Sequence, residues 1–387
     1  MLAGHKADGA TWFDVPTGLW TTSSPYPHVQ SIENFTTRHP ASEDLGKTWK
    51  LLLPLSSYLY GDKASNSVPP HGWDQSFPHI LAGGANGKSA DRDFYGQWET
   101  SPFADSYLVK LAEAAIDSEN LGQGQDCDFL GISFSSPDYV AHAFGPRSRE
   151  IQDQLSRLDL ELGELLSFLD KKVGAGNYVV ALTADHGGTP IPEDMQSAGI
   201  DAGWLSLAAV KESAENALAP FHLPTPAVAR VDGADIYFKP GIYEQLKKDP
   251  AAMRAAIDAI EQVPGVAAVY TAEEVNDRPA TDSVIRPAEA ASFFSTRSGD
   301  MLIVPKPYWV WDSTPKGDKR GVAGMHGSPY YYDQRVPIFF MGFGIQPGSD
   351  FTSSTPADIA PTLASLCGIT LASRDGRVLG EILRKPH

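Results

Sequence analysis

Apolar residues return every three or four positions along "DSYLVKLAEAAIDSENLG", where Leu108, Leu111, Ala115 and Ile116 share one stripe and Gly122 follows it. That spacing predicts an amphipathic helix with a glycine stop. "SREIQDQLSRLDLELGELLSFLDKKVG" repeats the pattern with Ile151, Leu155, Leu158, Leu162, Leu165 and Leu169, and closes on Lys171, Lys172 and Gly174. Between the two lies "CDFLGISF", a short apolar run, and after the second comes "NYVVALTADHG". Both runs read as buried strands. Helix, strand, helix, strand is the order of a βαβ unit. The expected class is therefore α/β, a doubly wound and mostly parallel sheet with helices on both faces.

Further along, "DMLIVP" and "VPIFFMGFG" read as core strands, and "TPADIAPTLASLCG" reads as a last helix begun by Thr355 or Pro356 and ended before Gly368. Between residues 198 and 295 the texture changes to strand, helix, strand around Pro and Gly punctuation. This predicts a small inserted α+β subdomain over 198–295, with 1–197 and 296–387 forming a discontinuous core. The Trp- and Pro-rich stretch from Thr21 to Gln97 shows little periodicity and is expected to form an irregular layer.

Composition narrows the function more than the fold. The chain has 387 residues, 42% hydrophobic and 20% charged, as expected of a globular protein, and no run reaches the roughly 20 apolar residues of a membrane span. A net charge of −17 disfavours nucleic-acid binding, which needs surplus Lys and Arg. Any site for a phosphorylated substrate then needs local positive charge, such as metal ions. Cys127 and Cys367 are the two cysteines. Pairing is left open, and each is read as a small buried hydrophobe.

In doubly wound sheets ligands bind beyond the carboxyl ends of strands. Asp138 and His142, in "GISFSSPDYVAHAFG", follow one predicted strand, and Asp185 and His186, in "ALTADHGG", end the next. His326, in "GMHGSPYYYD", sits in a glycine-flanked loop before "VPIFFMG". Carboxylate plus imidazole is the ligand set of catalytic zinc. Magnesium and calcium prefer oxygen shells, and two cysteines exclude a thiolate site. Taken singly, an Asp–His pair four apart is most often a helix-surface contact, and "ADHG" is often only a turn. Their joint occurrence with a third histidine favours metal. His5, His28, His39, His71, His79, His222 and His387 have no such context, and Tyr330, Tyr331 and Tyr332 are read as packing.

"SSPDYVAHAFG", "LTADHGG", "GMHGSPYYYDQRVPIFFMGFGI" and "DIAPTLASLCGI" resemble, in order and rough spacing, the alkaline phosphatase superfamily, nearest its nucleotide pyrophosphatase/phosphodiesterase-like branch. "AGHKADGATWFD" and "TTSSPY" are similar to a segment of bacterial alkaline phosphatases in that branch. The resemblance implies zinc-dependent hydrolysis of small-molecule phosphate monoesters by two zinc ions, in a periplasmic or secreted protein of unassigned oligomeric state. Asp138, His142 and His326 would hold one ion, and Asp185 and His186 the second. It also implies a further Asp ligand and a Ser or Thr nucleophile on an early strand. No segment before Asp138 matches those, and Thr21, Thr22 and Ser23 match a different family segment. The chain is therefore expected to be an N-terminally truncated member with impaired activity. A phosphodiesterase or nucleotide pyrophosphatase is the alternative enzyme, and a non-catalytic metal-binding remnant the alternative of another class.

Overall fold

Helices form where the apolar spacing places them. In the computed structural model, which describes all residues except 1–3, 5, 65, 85, 86, 88, 277–284, 316, 373, 374 and 385–387, helices span Pro102–Ser118 and Arg149–Leu169. His5 and His387 lie outside the described residues. Pro102 starts the first helix, where a missing N–H costs nothing, and the Ser148 hydroxyl caps the second by accepting from the Ile151 N–H. The final helix runs Ile359–Leu366, with Thr355 and Asp358 forming a capping box in the turn before it.

The chain divides into two compact units. One comprises Met1–Ser65, Pro69–Asp185 and Val336–His387, and the other Asn66–Val68 and His186–Arg335. The second unit is wider than the 198–295 subdomain expected, and it takes in the strand Met301–Pro305, which sequence reading placed in the main core. A continuous apolar run fits any sheet buried on both faces, so the pattern alone could not say which sheet. That strand lies between Asp235–Phe238 and Val266–Thr271 in a four-stranded antiparallel sheet, completed by Val228–Asp232. Helices Leu207–Leu218 and Pro250–Glu261 pack together over it, burying Val210, Leu218, Ile236, Ile260 and Met301. A parallel pair, Trp309–Asp312 with Gly203–Ser206, joins the same core.

In the first unit the structure departs from the βαβ reading. Val179–Thr183 forms a strand as expected, but it pairs antiparallel with Ile338–Gly342. Residues 127–134 have no regular secondary structure and belong to no ladder among the described residues. Phe129 is 70% exposed and Leu130 42%, while Ile132 and Phe134 pack against Val109, Ile116 and Leu165. The apolar composition is that of an inner strand, but no described strand supplies its hydrogen bonds, so the segment keeps an open edge. Cys127, read as buried, is exposed for the same reason, and Cys367 is half-buried.

The 21–97 stretch is more ordered than its composition suggested. It contributes helices Gln30–Arg38 and Arg92–Glu99 and several fully buried aromatics, including Trp49 and Phe94. Asp153 ties it to the Arg149–Leu169 helix: this buried carboxylate accepts from Trp49 Nε1 at 2.6 Å, the Leu52 N–H at 2.7 Å, Arg157 Nε at 2.6 Å and the Tyr58 hydroxyl.

Asp105, on the Pro102–Ser118 helix, is buried with Gln154 Nε2 donating to it at 2.7 Å. Burial pushes its carboxyl up to about 7, against the lowering effect of hydrogen bonds from Ser136 and Gln154. A raised native value means the folded state holds this proton more tightly than the unfolded chain. Its contribution is complete below the unfolded value near 3.8 and is lost as pH rises to about 7. The loss is on the order of 4 kcal/mol at most. Asp105→Asn should therefore gain thermal stability relative to wild type as pH is raised from 5 to 8. A difference in Tm that does not change with pH would show that Asp105 is not the titrating group.

Candidate metal centre

The Ser136–Phe144 helix carries Asp138 in its first turn and His142 in its last. Pro137 opens it and Gly145, at φ +80°, ends it in a conformation that side-chain-bearing residues resist. The 3.6-residue period puts positions four apart on one face, and His142 Nε2 lies 3.4 Å from Asp138 Oδ2. Both side chains are partly exposed. Asp185 is exposed and follows the Val179–Thr183 strand by two residues, and His186 is half-buried next to it.

Within the second unit a compact set of bonds holds His186 beside His326. Their rings stack with centroids 3.5 Å apart and planes 14° from parallel. The Gly187 N–H donates to the Asp333 carbonyl at 2.6 Å, the Gly188 N–H to the Tyr332 carbonyl at 3.1 Å, and the Thr189 N–H to the Met325 carbonyl at 3.0 Å. The buried Asp333 carboxylate then accepts from the Thr189 hydroxyl at 3.0 Å and from the Ser328 N–H at 2.8 Å and hydroxyl at 2.6 Å. These bonds clamp the loop after His186 to the loop around His326. Gly187 is required by the clamp, because a Cβ there would stand 2.0 Å from the Tyr332 carbonyl oxygen. His186 Nδ1 lies 2.8 Å from the Gly187 carbonyl. A hydrogen bond donated from Nδ1 fixes the tautomer in which Nε2 is the ligating atom.

Within this unit His186 and His326, both half-buried, thus stand side by side. Paired imidazoles are borderline nitrogen donors of the kind zinc takes. His186, assigned by motif to the second ion, here stacks on His326, assigned to the first. Thr189, Ser328 and Asp333 were not singled out from sequence; the only signal was their position flanking the two histidine motifs. Of the tyrosine run, Tyr332 stacks on Tyr308 at 5.0 Å, whereas Tyr331 is 70% exposed. A cavity of about 580 Å³ in the second unit, where Arg320 lies 4.4 Å above the Trp204 ring and pairs with Glu193 at 2.7 Å, is lined by none of the five predicted residues. No helix among the described residues is long and apolar enough to cross a membrane.

Comparison with known proteins gives a consistent picture. The family described as type I phosphodiesterase / nucleotide pyrophosphatase matches residues 1–329. A protein of Myroides odoratus named calcium-transporting ATPase is 28% identical over 95% of this chain and 67% of its own length. Alkaline phosphatase PafA of Elizabethkingia meningoseptica is 30% identical over 99% of this chain and 69% of its own. A crystal structure of wild-type alkaline phosphatase PafA superposes with a TM-score of 0.83 at 27% identity, covering 98% of this chain and 72% of that one.

Proposed function

We propose, from the premise that this chain belongs to the type I phosphodiesterase / nucleotide pyrophosphatase family and is a phosphoric ester hydrolase, that it hydrolyses small-molecule phosphate monoesters with zinc. The observation that carries the reading is the stacking of His186 on His326, ring centroids 3.5 Å apart, with the loops of both histidines tied through Asp333. Asp138, His142 and His326 would hold one ion, and Asp185 and His186 a second. Bound zinc supplies Lewis-acid charge that polarises phosphoryl oxygens and balances an acidic protein's repulsion of an anionic ester. The chain's own part is to hold these donors rigid: the helix fixes Asp138 against His142, and the Asp333 clamp fixes His186 against His326. Periplasmic or secreted localisation belongs to the same reading.

No residue in the sequence is assigned as nucleophile or as third ligand to the second ion. Elemental analysis after dialysis with zinc should show metal in the wild type and clear loss in both Asp138→Ala and His326→Ala. Equal zinc in all three proteins would remove the ligand assignment. Assays with p-nitrophenyl phosphate and its bis ester then divide the chemistry. Faster monoester cleavage supports the reading, faster diester cleavage favours a phosphodiesterase, and bound zinc without either marks a non-catalytic remnant.

A further inference from the structure

The parallel strands Gly203–Ser206 and Trp309–Asp312 end together, with Ser206 opposite Asp312 as the last pair. Ligands of parallel sheets collect beyond the carboxyl ends of the strands, and the cavity of about 580 Å³ lies at these ends. Ser206 and Asp312 line it, with residues that follow each strand: Glu212 on the Leu207–Leu218 helix, and Asp318, Lys319 and Arg320. Its volume falls within the roughly 300–1,000 Å³ of small-molecule sites. The Asn66–Val68 strap borders it and is pinned by Asn66 Nδ2 donating to the Asp194 carboxylate at 2.6 Å. Every lining residue belongs to the second unit.

Internal pairings decide which groups are left for a ligand. Glu193 accepts from the Trp204 indole at 2.9 Å and from Arg320 at 2.7 Å, so this carboxylate and guanidinium neutralise each other. The Ser206 hydroxyl accepts from the Ala209 N–H at 3.2 Å, which occupies one amide of the helix's first turn. Glu212, Asp312 and Asp318 then face the single ammonium of Lys319, an excess of two negative charges. None of these four forms an ion pair among the described residues. Asp312 Oδ1 accepts from the Thr314 N–H at 2.9 Å, which leaves Oδ2 for a ligand. Val68, Trp204, Ala209, Pro315 and Val322 add apolar wall. No three carboxylate or imidazole donors of this cavity come within 4.8 Å of one another among the described residues, which tells against a compact metal ion. Separated carboxylates beside aliphatic and indole surface suit a methylene chain that carries ammonium groups at intervals. We propose that this cavity binds an aliphatic polyamine, with ammonium groups on Asp312 and Glu212 and the methylene chain against Trp204 and Val322. The site is independent of the zinc reading of the histidine loops.

The test is calorimetric titration of the full chain with spermidine at low ionic strength, where ion pairs are least screened. The expected result is saturable binding of about one spermidine per chain, weakened about fivefold in Asp312→Asn and in Glu212→Gln, the top of the range for exposed ion pairs. Asparagine keeps an oxygen for the Thr314 N–H, and an unchanged Tm confirms the fold. If Asp312→Asn lowers Tm, Glu212→Gln carries the comparison. Asp159→Asn removes an exposed carboxylate from the Arg149–Leu169 helix of the first unit. It deletes the same charge far along the chain and should bind as wild type does. No binding, many spermidines per chain without saturation, or an equal loss in Asp159→Asn would overturn the proposal. Displacement of spermidine by an equal concentration of magnesium would overturn it too, in favour of a metal site.

Discussion

Replacing Gly187 by alanine should lower zinc affinity about 10- to 100-fold although every proposed ligand is retained. The new methyl group would sit 2.0 Å from the Tyr332 carbonyl oxygen and 3.0 Å from its carbon, far inside contact distance. Backbone atoms on both sides are tied by the Gly187-to-Asp333 bond at 2.6 Å and the Gly188-to-Tyr332 bond at 3.1 Å, so neither can yield alone. Relief requires the two loops to part, and His186 is adjacent in sequence to the residue that moves. Overpacking of this kind costs about 1–3 kcal/mol. Loss of a group that orients ligands typically lowers metal affinity by about 10- to 100-fold. Gly163, on the Arg149–Leu169 helix, offers a control: nothing lies within 4 Å of its added Cβ, and alanine there should stabilise by up to about 1 kcal/mol. The measurement is zinc affinity by competition with a chromogenic chelator, beside Tm for both variants. Wild-type affinity in Gly187→Ala would mean that the clamp does not position the histidines.

Asp153→Ala should have the largest effect on stability among the substitutions considered. Its carboxylate has no solvent exposure and four donors: the Trp49 indole, the Leu52 amide, the Tyr58 hydroxyl and the Arg157 guanidinium. Truncation leaves the buried indole N–H without its acceptor and the guanidinium without its counter-ion. Breaking a buried ion pair from one side costs about 3–5 kcal/mol, with unsatisfied donors adding to it. Arg157 is 28% exposed and can recover some hydration, which keeps the figure near the lower end. Trp49 is an internal reporter, so urea titration followed by tryptophan emission should show an early transition and a red-shifted starting spectrum. A destabilisation under about 1 kcal/mol would show that the 49–58 segment is held by packing alone.

The helices were legible because a 3.6-residue apolar period survives wherever a helix lies against a core. Pro102–Ser118 and Arg149–Leu169 came out close to their read boundaries. Strand partners were not legible. An unbroken apolar run such as 127–134 shows what a segment prefers to be surrounded by, not whether a neighbouring strand is there to pair with it. The histidine motifs could be read because short spacing fixes Asp138 with His142 on one helix face, and glycines flag the tight loops at His186 and His326. Asp153 and Asp333 could not. Asp153 meets Trp49 from 104 positions away and Asp333 meets Thr189 from 144, and an aspartate in a helical or tyrosine-rich stretch looks like ordinary surface until the chain is folded.

The open backbone at 127–134 bears on how the protein behaves in bulk. With Phe129 and Leu130 uncovered there and Phe339 and Met341 facing out from the Ile338–Gly342 strand, any extended peptide can satisfy the vacant amide groups and shield the side chains in one step. A second molecule of the same chain is such a peptide. Self-association should therefore rise with protein concentration, and light scattering across a dilution series reads it.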